Sequence, residues 1–87
     1  DAAAPEEVTE KVRALARAVG GVLGVEKVRC RKAGLHYLVD IHIEVEPKMP
    51  VDEAHLIAQH VSHQLVDSGE NILQALVHVE PYYPGDH

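Results

Sequence analysis

The sequence is short of several residue types, and each shortage limits what the protein does. Its one cysteine, Cys30, has no second cysteine to form a disulfide with inside the chain. Trp and Phe are absent, which leaves little for aromatic packing or base stacking. No segment approaches the roughly 20 apolar residues of a membrane-spanning helix. Basic residues are few and the formal net charge is −6, so we expect no nucleic-acid partner. We expect a soluble piece of a longer protein.

The chain is also too short to bury a large core. At 87 residues it is one domain, and a domain of this size buries only about 60 to 65% of the surface that its unfolded chain exposes. A core this thin usually needs support, and without disulfides the support is oligomerisation, a bound metal or both. Seven histidines and an acidic balance favour a bound cation.

Hydrophobic periodicity divides the chain into five elements and a tail. Apolar residues recur twice at helical spacing, and the stretch "HYLVDIHIEVE" alternates along nearly its whole length. The expected elements are a helix at 5–19, a strand at 25–32, a strand at 36–46, a helix at 51–67, a strand at 72–80 and a tail at 81–87.

This order, α-β-β-α-β, predicts a fold of the α+β class. The tight link between the first two strands makes them antiparallel, and the helix between the second and third makes those two parallel. Both helices then cover one face of a three-stranded mixed sheet, which is a ferredoxin-like, metallochaperone-like sandwich without its first strand. Such a sheet leaves one face and two edges unprotected, so we expect a two-fold homodimer.

Strand parity predicts a group of metal ligands on the face away from the helices. His42 lies opposite the apolar series of the second strand, and His78 and Glu80 lie opposite the apolar series of the third. The apolar series of the third strand is predicted to be Leu73, Ala75, Val77 and Val79. Imidazoles at facing positions of neighbouring strands, about 4.8 Å apart, can bind one ion. The alternative is a pair of solvated histidines.

The other candidate residues have plainer alternatives. The remaining histidines, each also compatible with a solvated surface position, are His36, His55, His60, His63 and His87. Cys30 has the same parity as Val28, and we interpret it as a small buried apolar residue rather than a thiolate ligand.

No catalytic motif accompanies these ligands. The sequence contains no nucleophile elbow, no Gly-rich phosphate loop and no HExxH helix, so we expect a domain that is not an enzyme. Histidine and carboxylate without paired thiols favour Zn²⁺, although Cd²⁺, Co²⁺, Mn²⁺ and Fe²⁺ accept the same ligands.

Three stretches together carry a resemblance to a known family. "GVLGVEKVRCRKAG", "VDIHIEVEPKMPVDEAH" and "ALVHVEP", in this order and spacing, resemble the C-terminal cytoplasmic domain of the cation diffusion facilitators, which are divalent-metal/proton antiporters. The resemblance covers residues 7–81. It implies a metallochaperone-like fold, a homodimer below the membrane of an integral inner-membrane or plasma-membrane protein, and a partner in that protein's transmembrane domain.

The resemblance also implies a ligand set. The family's histidines in the second strand, the second helix and the third strand fall on His42, His55 and His78, and its acidic residue in the third strand falls on Glu80. Glu26 stands where some members have a histidine. Metal binding in the family draws the two domains together and favours the transport-competent dimer, while transport itself needs helices that this chain lacks.

Two functions of other classes remain open from the sequence. One is a soluble metallochaperone, although no MxCxxC loop is present. The other is a small-molecule regulatory domain in which the histidines are incidental. A hydrolytic zinc enzyme would need an open coordination position and a general base, and no residue is identified for the latter.

Overall fold

A computed structural model of the chain describes residues 2–86. The elements follow the order α-β-β-α-β with a three-stranded mixed sheet, which confirms the predicted fold class. They are α1 (Glu6–Arg17), β1 (Gly24–Ala33), β2 (His36–Val45), α2 (Val51–Val66), β3 (Ile72–Pro81) and a short 3-10 helix (Pro84–Asp86).

The helix ends differ slightly from those expected from periodicity. Pro5 and Pro50 precede α1 and α2 with extended backbone (ψ 148° at both), so each helix begins at the next residue. α1 ends at Arg17 rather than at position 19, where Ala18 donates its backbone N–H to the Ala14 carbonyl and Val19 donates to the Ala16 carbonyl. The last helical carbonyls are thereby satisfied before the two glycines that follow.

The sheet has the strand order β1-β2-β3, with β2 in the centre. β1 and β2 are antiparallel, and β2 and β3 are parallel, as predicted. The buried core draws on both helices and on the face of the sheet that they cover. Its members are Val12, Ala16, Val22, Cys30, Val39, Ile41, Ile43, Val45, Val61, Leu65 and Ile72. Each large aliphatic member contributes roughly 1.5 to 3 kcal/mol by leaving water. The opposite face of the sheet, which we call the open face, carries the polar residues of β2.

Residues 2–4 extend the sheet beyond β1. Ala3 forms an antiparallel bridge with Arg31, Ala4 donates its N–H to the Cys30 carbonyl at 2.9 Å, and Lys32 donates to the Ala2 carbonyl at 2.9 Å. The outer edge of β1 is therefore partly covered. Neither helix within residues 2–86 has the length and apolar character needed to cross a membrane.

Two bulges shift strand residues away from strict alternation. In β1, Val25 pairs with Ile43 and Lys27 pairs with His42, so Glu26 is an extra residue between them. In β3, Leu73 is the extra residue. The predicted inward position of Leu73 is wrong, because the bulge leaves Leu73 58% exposed and buries Ile72 instead, at 4%.

Cys30 lies in the core at 4% exposure, which agrees with its interpretation as a small buried residue. Burial raises the pKa of its thiol, although a hydrogen bond with Thr9 acts in the opposite direction. A thiol with a raised pKa is a poor nucleophile and a poor metal ligand at neutral pH.

Candidate metal centre

His42 and His78 meet at the middle of the open face. They are direct register partners across β2 and β3, and their rings stack with centroids 4.4 Å apart and planes 19° from parallel. This placement is the one that strand parity predicts. The two imidazoles lie side by side because β2 and β3 run parallel with no offset at this position.

One group of three potential ligands surrounds this pair on the β1 side. Ligand atoms of Glu26, His42 and Glu80 all lie within 4.8 Å of one another. His42 Nδ1 is 2.7 Å from Glu80 Oε2. Glu26 reaches the group from β1 because the bulge places it outside the core-facing series. All three were predicted from the sequence, and we call them the Glu26–His42–Glu80 triad.

The electrostatics of the triad depend on two carboxyl groups placed close together. A hydrogen bond with Glu80 raises the pKa of Glu26, and the negative charge of Glu80 raises it further. The pKa of Glu80 is lowered, mainly by its hydrogen bond with His42 and then by that with Glu26. A divalent cation at this position would neutralise the charges of both carboxylates.

A second group forms on the other side of the same histidines. Ligand atoms of Asp40, His42 and His78 also lie within 4.8 Å of one another. His78 Nε2 is 2.9 Å from Asp40 Oδ1, but the contact lacks the alignment of a hydrogen bond. Within the described part of the chain, that buried oxygen has no hydrogen-bond partner. A buried acceptor without a donor is costly, and a bound cation would satisfy it.

Asp40 was not predicted as a site residue, although strand parity places it beside His42. Asp40 precedes His42 by two residues in a regular strand, so both side chains lie on the open face. Strand parity, which identified His42, applies equally to this carboxylate.

His55 is not brought to either group within one chain. It lies on α2, exposed, with its Nε2 3.3 Å from Nε2 of Gln59. It lines a cleft of about 440 Å³ at the ends of β2 and β3, to which Glu80 also contributes. The remaining described histidines are exposed and belong to neither group; they are His36, His60 and His63. His87 lies outside the described residues.

Glu44 is a buried carboxylate beside the triad. It is 6% exposed and pairs with Gly24 on one side and Glu80 on the other. A Cβ atom at Gly24 would lie 2.5 Å from Glu44 Oε1, so any other residue at this position would require the Glu44 carboxylate to shift. Glu44 also adds negative charge that raises the pKa of Glu26.

Comparison with known proteins places the chain in a family. The family model described as "Cation efflux protein, cytoplasmic domain" matches residues 4–82. Metal tolerance protein 2 of Oryza sativa subsp. japonica is 33% identical over 84 residues, which are 97% of this chain and 22% of that protein. The cation-efflux pump FieF of Yersinia pestis (strain Pestoides F) is 32% identical over 66 residues, 76% of this chain and 22% of the pump. The chain thus spans less than a quarter of the length of these relatives.

Solved structures agree with this placement. A MamM-CTD structure is 30% identical, covers 88% of this chain and 98% of its own, and superimposes with a TM-score of 0.85. The nickel form of a MamM CTD variant is 28% identical, with a TM-score of 0.87 over 91% of this chain and all of its own. The match to a family of transporter domains, the shared fold and the identity above 30% lead to one conclusion: this chain belongs to the cation efflux proteins, the cation diffusion facilitators, as their C-terminal cytoplasmic domain.

Proposed function

We propose that this domain binds a zinc-type divalent ion on its open face, and that the ion tightens a homodimer and favours cation efflux. The partner domain would be the transmembrane part of the same metal/proton antiporter. The observation that carries the proposal is the Glu26–His42–Glu80 triad, whose ligand atoms lie within 4.8 Å of one another on three different strands. A cation bound there links all three strands of the sheet.

The residues present fit such an ion. The neighbouring Glu80 raises the pKa of Glu26, and among the described residues the Asp40 oxygen beside His78 has no hydrogen-bond partner. Imidazole nitrogen and carboxylate oxygen, with no thiolate nearby, form a donor set that zinc accepts. Cd²⁺, Co²⁺, Mn²⁺ and Fe²⁺ use the same donors, and a MamM relative has been obtained in a nickel form. His42 belongs to both ligand groups, so we expect its loss to affect any ion on this face.

The cleft beside the triad supports a dimer. Its lining includes apolar side chains whose exposure to water is unfavourable: Val51 is 86% exposed, Tyr83 is 51% exposed and Val79 is 37% exposed. A second copy of the chain would cover them. Since His55 and Glu80 both line this cleft, the same contact would bring His55 of one chain to the neighbourhood of a metal site. His55 would then be a ligand contributed through assembly.

The proposed coupling follows from linkage. The ion supplies the positive charge that gathers the ligands, and the assembled state is stabilised by its higher affinity for the ion. Imidazoles must be neutral to bind a metal ion, so affinity should fall as the pH is lowered. This dependence suits a transporter that exchanges metal for protons.

A zinc titration of the metal-free 87-residue chain tests the proposal. Calorimetry should give micromolar or tighter affinity with proton release, and small-angle scattering of the same samples should show a more compact dimer. A variant with His42→Ala and His78→Ala should lose this binding. The matched control is His60→Ala with His63→Ala, which also removes two histidines but from exposed positions on α2.

Two results would contradict the proposal. If the His42/His78 double variant binds zinc with unchanged stoichiometry and affinity, the ligand assignment is wrong. If the unmodified chain binds zinc negligibly and changes neither stability nor shape, His78 and Glu80 are ordinary surface residues.

A further inference from the structure

The tip of the β1–β2 hairpin, which we define as residues 31–36, exposes an apolar side chain with no role in the metal site. Leu35 is 91% exposed, the most of any large apolar residue in the described part of the chain. Gly34 precedes it with φ +65°, as in two-residue hairpin turns that begin with glycine. The turn is thus built to hold Leu35 away from the domain.

The surroundings of Leu35 carry a concentrated positive charge. The tip contains two of the eight Lys and Arg residues of a chain whose formal net charge is −6, Arg31 and Lys32, and it contains no Asp or Glu. Both are exposed. Arg29 and Lys27 lie further along β1, opposite Asp40 and His42. A basic segment with one protruding leucine is complementary to an anionic surface that has an apolar layer beneath it.

The path of the backbone indicates which side of the domain this tip faces. Residues 2–4 run antiparallel to β1, with Ala4 opposite Cys30 and Ala2 opposite Lys32. Followed towards the N-terminus, the chain therefore runs towards the hairpin tip. In a longer protein of this family, a segment that precedes residue 2 would join the domain from the side of the hairpin tip.

We propose that the hairpin tip docks on the headgroup layer of an anionic bilayer, with Leu35 inserted in the interface and Arg31 and Lys32 against lipid phosphates. This surface is separate from the metal centre: His42 lies six positions after His36 along β2, which corresponds to about 20 Å. Docking on a bilayer goes beyond the proposed metal function and does not depend on it.

The test uses vesicles and the 87-residue chain. Binding to vesicles of phosphatidylcholine alone is compared with binding to vesicles that contain 30% phosphatidylglycerol, by co-sedimentation in low salt. The chain should bind the anionic vesicles and should release when salt is raised. Each basic residue near an anionic surface is worth about fivefold in partitioning, so Lys32→Glu should weaken binding at least that much. Leu35→Asp should weaken it about tenfold or more.

Matched controls make the same changes elsewhere. Leu56→Asp alters another exposed leucine, on α2, and Lys48→Glu alters an exposed lysine in the β2–α2 loop. Both should bind within about twofold of the unmodified chain. Leu35→Trp gives a positive readout, because the chain has no other Trp: its fluorescence should shift to the blue with anionic vesicles and its binding should strengthen.

Three results would overturn the inference. They are equal binding to neutral and anionic vesicles, hairpin-tip variants that bind like the controls, and a Leu35→Trp emission that vesicles do not change. Zinc titration of the same variants separates the two sites, since hairpin-tip variants should keep the zinc stoichiometry of the unmodified chain.

Discussion

The shared position of His42 in both ligand groups leads to a quantitative prediction for thermal stability. An ion that binds only the folded state at 100 times its dissociation constant stabilises that state by about 2.7 kcal/mol. In a domain of this size each kcal/mol raises the melting temperature by about 4 to 8 °C, so zinc should raise it by roughly 10 to 20 °C. His42→Ala removes a proposed direct ligand from both groups, and loss of an outer partner alone typically costs 10–100-fold in affinity.

A hundredfold loss at the same zinc concentration leaves only about 0.4 kcal/mol of stabilisation, or roughly 2 to 3 °C. The assay is thermal unfolding followed by circular dichroism with and without zinc, and His60→Ala is the control that should keep the full shift. A His42→Ala variant that retains more than half of the shift of the unmodified chain would refute the reasoning that this residue is central to the site.

Three further changes test the cleft, the packing beside the triad and the buried thiol. Val51→Asp should weaken the dimer about tenfold or more, measured by analytical ultracentrifugation, because it places a charge in the proposed contact; Leu35→Asp, equally exposed but outside the cleft, should leave the dimer intact. Gly24→Ala should destabilise the fold by about 1 to 3 kcal/mol in urea unfolding, since the new Cβ displaces the buried Glu44 carboxylate; a neutral result would mean that this carboxylate moves freely. Cys30 should react with a thiol reagent far more slowly in the folded chain than in the unfolded chain, because burial raises the pKa of its thiol; equal rates would show that the thiol is accessible.

The sequence was sufficient for the architecture and for the central pair of the site. Regular alternation in β2 assigns Ile41 to the core and His42 to the open face, and the parallel link between β2 and β3 then places His78 beside it. These inferences need only the two-residue period of a strand and the length of the connection.

The two bulges could not be predicted from the two-residue period of a strand. Strict alternation in β1 would place Glu26 on the same side as Val28 and Cys30, facing the helices. The inserted residue reverses that assignment, and only the family resemblance predicted Glu26 as a ligand. Leu73 was misassigned for the same reason. Bulges depend on how two strands pair, which local hydrophobic pattern does not encode.

Neither the sequence nor the structure of a single chain defines the role of His55. Sequence resemblance linked it to the metal site, but within one chain it lies on α2 at the cleft and joins neither ligand group. If His55 binds metal through a second chain, as proposed, the periodicity of its own helix would not show it.

The outer edge of β3 affects how this protein behaves in concentrated solution. Within residues 2–86 no strand pairs with that edge, and the segment 72–79 has no Asp, Glu, Lys or Arg while two of its leucines are more than half exposed. Segments of this kind can template growth of a sheet from one molecule to the next, and flanking charges and prolines act as gatekeepers against it. Glu80 and Pro81 occupy that position here. A cation bound at Glu80 as proposed would also neutralise a gatekeeper charge, so metal binding should lower the colloidal stability of the protein.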